Sequence, residues 1–287
     1  MPTETEKSPI IEVCQMTRSF GTQRVLDGIS LDIYPGEIMV VIGGSGCGKS
    51  TLLRHLIGSL NPDQGTVKLF GRDITTMSEA ELNEVRKRFG ILFQSGALFN
   101  SLTVGENVAL PLREHTNLDE STIEIMVKIK LELVGLREHA DKMPAMLSGG
   151  MKKRAGLARA IALDPQILFY DEPTSGLDPV TSAQIDQLII DLTRKLRVTS
   201  MVVTHHMSSA FTIADRMCML DKGRILKIGS RQEFESLRDS SPEQLQSEQD
   251  KLVRQFLRGD AYGPITDRKV ASDYEDDLLM VGLKAEE

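Results

Sequence analysis

The sequence predicts an α/β fold in which a mostly parallel sheet is flanked by helices, and three observations lead there. Three apolar runs, Ile38 to Ile42, Gln166 to Tyr170 and Thr199 to Thr204, have the length and continuity of strands buried on both faces. Stretches with helical apolar spacing separate them, the alternation expected of a parallel sheet covered by helices. A glycine-rich loop, IGGSGCGKST, joins the first of these strands to a helical stretch.

The elements follow in chain order. IIEVCQMTRSF alternates partly and turns at Gly21. VLDGISLDIY alternates apolar and polar from Ile29 to Ile33, as a half-exposed antiparallel strand does. Pro35-Gly36 makes a turn before the first buried strand. Beyond the loop, Leu52, Leu53, Leu56 and Ile57 mark one helical face. From about Ser95 to Lys142 the pattern is mostly helical, with apolar positions such as Leu131 and Val134, which predicts a helical insertion into the sheet domain. Ser241-Pro242-Glu243 predicts a helix start, with a hydroxyl cap and proline in the first turn. Leu245, Leu252, Val253, Phe256 and Leu257 then share a face, and Gly259 ends it. Such an apolar stripe fits docking on the same chain or on a neighbour equally well. The acidic end, SDYEDDLLMVGLKAEE, carries a small apolar cluster at Leu278-Leu279-Met280 that suggests docking.

Bulk properties narrow the function. The net charge of −7 disfavours a chain whose main task is gripping nucleic acid, so no nucleic-acid partner is expected. No apolar run approaches the ~20 residues that cross a bilayer, and MPTETEKSPI lacks the apolar core of a signal peptide, so a cytoplasmic location is expected. Cys14, Cys47 and Cys218 match neither a metal spacing nor a disulfide framework and read as reduced thiols, with Cys47 a small filler in the glycine loop.

Gly43-Gly44-Ser45-Gly46-Cys47-Gly48-Lys49-Ser50, continuing into Thr51, satisfies the phosphate-loop pattern G-x-x-x-x-G-K-[ST] in its proper strand-to-helix context. Its N–H groups would curl around a β-phosphate, Lys49 would sit between the β- and γ-phosphates, and Ser50 would offer its hydroxyl to Mg²⁺. The buried strand ILFYDE supplies Asp171 to hold Mg²⁺ and Glu172 as general base for the attacking water. A second anion site lies about a hundred residues on. LSGGMKKRAGLARA places a hydroxyl and two glycines at the start of a helix bearing four basic residues. The chain therefore binds a nucleoside triphosphate and carries one phosphate site more than a single nucleotide needs.

Together these residues resemble the ATP-binding cassette (ABC) family over roughly Ile11 to Gly229. The resemblance implies a phosphate-loop fold of ABC type. Its parts are an antiparallel β subdomain, a helical subdomain at about 95–150 and a C-terminal helical extension. In these terms residues 1–9 form a flexible N-terminus, 10–232 the ATPase domain, and 233–287 a helix with an acidic tail. Leu147-Ser148-Gly149-Gly150 matches the signature that caps ATP held on a second copy, which accounts for the extra phosphate site: two ATPs are sandwiched in a head-to-tail dimer. Phe20 matches the ring that stacks on adenine. Gln94 matches the residue sensing Mg²⁺ and the attacking water. Ser175-Gly176-Leu177-Asp178 matches the loop facing its twin, and His205 the switch histidine on the γ-phosphate. His206 has no counterpart and reads as a surface residue. Met151 departs from the family's usual glutamine.

SGALFNSLTVGENVALPLREHTNL and VRQFLRGDAYGPI are similar to one branch, the ATPases of lipid transporters that work with MCE proteins, and LSGGM fits it too. That similarity implies an ATPase on the cytoplasmic face of a Gram-negative inner membrane, paired with a second copy, a permease and an MCE-domain protein, often joined by a small STAS-domain protein. The cargo would be phospholipid moving between inner and outer membranes. A cassette for another cargo, a small solute or a lipoprotein, shares the same core, and a non-transport cassette is disfavoured by the acidic charge and the lack of coiled-coil insertions. Leu98, Phe99 and Leu102 are expected to line the permease groove or to be subdomain core.

Overall fold

The computed structural model describes residues 8–245 and 247–266, so the acidic tail, Leu278-Leu279-Met280 and most of the expected N-terminal arm lie outside the described residues. Strands β1 (Ile11–Phe20) and β2 (Gln23–Ile33) pair antiparallel, and β1 pairs antiparallel with β4 (Gln64–Leu69), which carries the short β5 (Arg72–Asp73). This is the antiparallel sheet, in the order β2-β1-β4-β5.

The larger sheet contains β3 (Ile38–Gly43), β6 (Phe89–Leu92), β7 (Ile167–Asp171), β8 (Thr199–Val203), β9 (Arg216–Asp221) and β10 (Arg224–Ser230). Its order is β10-β9-β3-β8-β7-β6, parallel throughout except for the β9–β10 hairpin. Successive residues of a strand point to opposite faces, and here each face is a core. Ile38, Val40 and Ile42 pack into one cluster while Met39 and Val41 pack into the other. Leu168 and Tyr170 divide from Ile167 and Phe169 in the same way. Continuous apolar strands are thus required because neither face meets water.

Two helices cover the face shared with the antiparallel sheet: α1 (Lys49–Leu56), through Leu52, Leu53 and Leu56, and α2 (Glu79–Arg86), through Leu82 and Val85. The opposite face carries α3 (Val104–His115), α4 (Glu120–Leu133), α5 (Gly149–Ala160), α6 (Pro179–Leu196) and α7 (Met207–Ile213). Between β6 and α3, buried Asn107 fixes the loop. Its amide donates to the carbonyls of Phe99, Leu102 and Thr103, and its oxygen accepts from Phe99 N–H.

The C-terminal region differs from expectation. Ser241-Pro242-Glu243 opens only a 3-10 turn, Pro242–Gln244. It follows α8 (Arg231–Asp239), which starts with a Ser230–Glu233 capping box that the sequence reading passed over, so position 232 lies inside a helix. The long helix, α9 (Glu248–Arg258), starts later on the side chain of Ser247 and ends at Gly259 as expected. Leu245 therefore stands outside it. α9 packs on its own chain, against α8 and β10, with Val253 and Leu257 in the main core.

β6 and α5 touch backbone to backbone. A Cβ added at Gly90 would lie 2.0 Å from the Ala160 carbonyl oxygen, a clash that no side-chain rotation relieves. Gly90→Ala is expected to destabilise the fold by about 1–3 kcal/mol through overpacking, read as a lower urea midpoint with unchanged slope.

Candidate functional site

The phosphate loop leaves β3 and enters α1. Gly43 has φ 154°, and a Cβ there would sit 2.2 Å from the Leu220 carbonyl; Gly48 has φ 110° and a Cβ there would meet Leu26 and the Val25 carbonyl. Both positions require glycine. Gly48 caps α1 with no side chain, so the first N–H groups of the helix stay free for an anion. The Lys49 ammonium folds back on the loop, donating to the Gly43 carbonyl at 2.7 Å and the Gly44 carbonyl at 2.9 Å. A triphosphate entering the loop would exchange these carbonyls for stronger anionic acceptors. Ser45, Gly46 and Ser50 are exposed, Thr51 is half-buried, and Cys47 is buried filler, as read.

Three further strand ends deliver the remaining groups. Asp171 ends β7, and its Oδ1 is buried with no hydrogen-bond partner. Burial and the neighbouring Glu172 charge raise its pKa, opposed by Arg54, Lys153 and Lys49. An orphaned carboxylate oxygen beside a phosphate loop fits a divalent cation or its water. Glu172 follows in the left-handed region, φ 47°, and is 8% exposed. Its Oε1 lies 2.8 Å from His205 Nδ1, and Oε2 accepts from Thr204 Oγ1 at 3.3 Å. His205 stands beyond β8, largely exposed on its outer side. Gln94 follows β6, and its Nε2 donates to Ser175 Oγ at 3.2 Å. An open cleft is lined by Phe93, Gln94, Ser95, Asp171, Ser175 and Gly176, so two of the residues expected at the cation, Gln94 and Asp171, share one space, while Ser50, also expected there, is not part of its lining.

His206 is not the surface residue expected. It is half-buried, its ring 4.3 Å from that of His205. Ligand atoms of Glu172, His205 and His206 lie within 4.8 Å of one another, a set of the kind that holds transition metals. Lys153 was also missed as an individual: it is 5% exposed and donates to the carbonyls of Gln94 and Glu172. Burial pushes its pKa down, while Asp171 and Glu172 pull the other way.

The second phosphate motif lies apart from the first. Ser148 caps α5, accepting from Met151 N–H at 3.3 Å, and leaves Gly149 exposed at the helix start. α5 packs on β6, the edge strand, three strand spacings from β3, or roughly 14 Å across the sheet. Leu147 is buried in the core, and Met151 packs against the same core. Asp178 caps α6, accepting from Val180 and Thr181 N–H, and the Thr181 side chain followed by these N–H groups depresses its pKa. Phe20, at the end of β1, is 44% exposed with the Arg18 guanidinium 4.9 Å over its ring.

Leu98, Phe99 and Leu102, expected to line the groove or to be subdomain core, divide between the two. Leu98 is packed against the core and Leu102 is partly buried, while Phe99 projects with Arg159 over its ring. A larger cleft, of about 680 Å³, reaches Phe93, the residue before Gln94, and is lined also by Ile57, Ser59, Asn83, Lys87 and Pro111 among others. The lining comes from residues at or beside α1, α2, β6, α3 and α5, and no local pattern announces it.

A phosphate loop at the centre of a parallel sheet, with an acidic pair and a histidine on the neighbouring strand ends, defines a nucleotide-hydrolysing cassette ATPase. Residues 26–175 match the ABC transporter family. The chain belongs to that family, and it is an ATPase. It is 47% identical over 255 residues to the probable ribonucleotide transport ATP-binding protein mkl of Mycobacterium leprae, covering 89% of this chain and 70% of that protein. It is 43% identical to the intermembrane phospholipid transport system ATP-binding protein MlaF of Haemophilus influenzae, covering 94% and 98% of the two chains. MlaF of Escherichia coli K12 is 43% identical, with 96% and 98% covered. Among solved structures, cbiO1 of Clostridium perfringens superposes with a TM-score of 0.75 at 29% identity, over 80% of this chain and 92% of that one. The dimeric ABC transporter cassette MJ0796 superposes at 0.72 and 29% identity, over 77% and 98%.

Burial raises the pKa of Cys47 and pushes that of Cys218 up to about 12, so both stay neutral thiols near pH 8, while Cys14 is exposed. The thiolate is the reactive form. Iodoacetamide at pH 8 is therefore expected to modify Cys14 first, with Cys47 and Cys218 reacting only after denaturation, as peptide mass mapping would record.

Proposed function

We propose that this chain is the ATP-hydrolysing subunit of a transporter that moves phospholipid between inner and outer membranes. The observation that carries this reading is the match to MlaF along nearly the whole of both chains, through α9 and not the cassette alone. The similarity to mkl, named for ribonucleotide transport, supports a second reading in which the same cassette serves another cargo. No helix among the described residues is long and apolar enough to cross a membrane. The chain would thus work from the cytoplasmic face through a permease, with an MCE-domain protein and a small STAS-domain protein as further partners. The cleft beside Gln94 is the proposed seat for the permease. Residues 10–232 would form the ATPase domain, with the helical subdomain at about 95–150, and 233–287 an extension.

In this reading adenine stacks on Phe20, and the phosphates lie in the loop from Gly43 to Thr51. Lys49 leaves the loop carbonyls to pair with the β- and γ-phosphates. Ser50, Gln94 and Asp171 would hold Mg²⁺, whose chemistry is to neutralise charge developing on the phosphates. Glu172 takes a proton from the attacking water as its oxygen bonds to the γ-phosphorus, and the bond to the bridging oxygen of ADP breaks. His205 orients the Glu172 carboxylate and reaches toward the γ-phosphate. Two copies assemble head to tail, so Ser148, Gly149 and Gly150 of one cap the nucleotide on the other, and the Ser175–Asp178 loops face each other. The dimeric MJ0796 cassette supports this arrangement.

Glu172→Gln is expected to keep ATP binding and accumulate an ATP-dependent dimer on gel filtration, while turnover falls about 10²–10⁴-fold. Persistent turnover would remove Glu172 from the role of base. Affinity purification from native membranes in mild detergent, followed by protein and lipid mass spectrometry, tests the cargo. A permease, an MCE-domain protein and phospholipid are expected; a different permease without lipid would favour the second reading.

A further inference from the structure

The helix that opens with the signature carries four basic residues, and one of them is unlike the rest. Arg154 reaches out to Gln184 Oε1 at 2.6 Å, Lys152 is half-exposed, and Arg159 donates to the Ala97 carbonyl at 2.8 Å. Lys153 instead turns inward, 5% exposed, and its ammonium bridges the carbonyl oxygens of Gln94 and Glu172, the latter at 3.1 Å. A long polar side chain is buried this way only when its charge finds acceptors. A packing role alone would be met by an apolar side chain of similar length.

The two acceptors matter because of whose carbonyls they are. Glu172 holds a left-handed backbone, φ 47°, which an L-residue keeps only when its surroundings fix it. The direction of its carbonyl is coupled to the direction of its side chain through that backbone. Gln94 begins the loop that leaves β6, and α5 grips the loop at further points on the same helical face. Gly156 admits the Gly96 carbonyl so closely that a Cβ there would lie 2.8 Å from it, and Arg159 holds Gly96 and Ala97. Positions 153, 156 and 159 recur at i, i+3 and i+6, a single face.

We propose that Lys153 is a positioning residue that ties the signature helix to the hydrolytic machinery of its own subunit, so that capping a nucleotide on the partner copy aligns Glu172 and Gln94 in this one. Lys153 is five residues from Ser148, about 7.5 Å along one rigid helix. A displacement of the helix start on engaging the partner's nucleotide therefore carries the ammonium with it, and with it the two carbonyls. The inference rests on the paired-cassette reading given above.

The test uses the purified full-length chain, with ATP hydrolysis followed against ATP concentration and nucleotide affinity measured with a fluorescent mant-ATP probe. Lys153→Met is expected to lower kcat by about ten- to a hundredfold, the range a small misplacement of catalytic groups produces. Its mant-ATP affinity should stay within about threefold of wild type, and its Hill coefficient should fall toward that of independent sites. Lys153→Arg, which keeps a cation within reach of both carbonyls, should recover most of the rate. Should Lys153→Met fail to fold, Lys153→Gln carries the same comparison. Wild-type kcat and cooperativity in the Met or Gln variant would overturn the proposal, as would a parallel loss of rate and nucleotide affinity, the mark of a merely structural lysine. A wild-type chain hydrolysing without cooperativity would instead overturn the paired-cassette reading itself.

Discussion

Everything at this site depends on the parallel pairing of β3, β8, β7 and β6. Parallel strands end on the same side, and ligands of open α/β sheets bind beyond those carboxyl ends. The residues just past the four strands are the phosphate loop, His205, the Asp171–Glu172 pair and Gln94. They are scattered over more than 150 positions of sequence, yet a single sheet edge collects them. The strands can be parallel only because helices cover both faces, and that is why β3, β7 and β8 are apolar at successive positions.

Within this frame the polar groups are held by specific, mostly buried partners. Lys49 is satisfied by loop carbonyls, Glu172 by His205 and Thr204, and Lys153 by two carbonyls from adjoining strand ends. Asp171 Oδ1 is the exception, buried and unpaired, and it lies where a cation would bring charge of the opposite sign. The site is thus ordered on its protein side, with Lys49 held by neutral carbonyls that an anionic ligand would replace.

The helical insertion bears on the same edge from the other side. α5 begins at the signature and lies against β6, and three of its residues meet the loop after Gln94. Asn107 fixes the next stretch of that loop from α3. The cleft next to it draws on α1, α2, β6, α3 and α5. Any body seated there would touch elements that also touch the Gln94 loop, so the permease seat proposed above would have a short mechanical path to the phosphates.

The sequence by itself determined the parts of this protein whose physics is local. A phosphate loop works through consecutive N–H groups, so its glycines, Lys49 and Ser50 are legible as a string. Asp171 and Glu172 are legible because a strand buried on both faces must end where water begins. Gly259 is legible as a helix stop because few residues other than glycine accept its left-handed backbone. The resemblance carried Gln94, which has no local mark of its own, and gave the hydroxyl-and-glycine helix start at Ser148 its role as the signature. Tertiary structure decided the rest. Ser241-Pro242 looked like a helix start, yet the helix begins only after Ser247, where α9 packs against α8 and β10 and buries Val253 and Leu257 in the core. His206 looked superficial, yet the turn after β8 brings its ring, tilted, against that of His205. Lys153 was one of four basic residues in the sequence of α5; β6 and β7 bring two carbonyls to it from 59 and 19 residues away. Side-chain type and spacing specify what a residue can do; which distant backbone stands opposite it is set by the sheet order, and no short stretch of chain contains that.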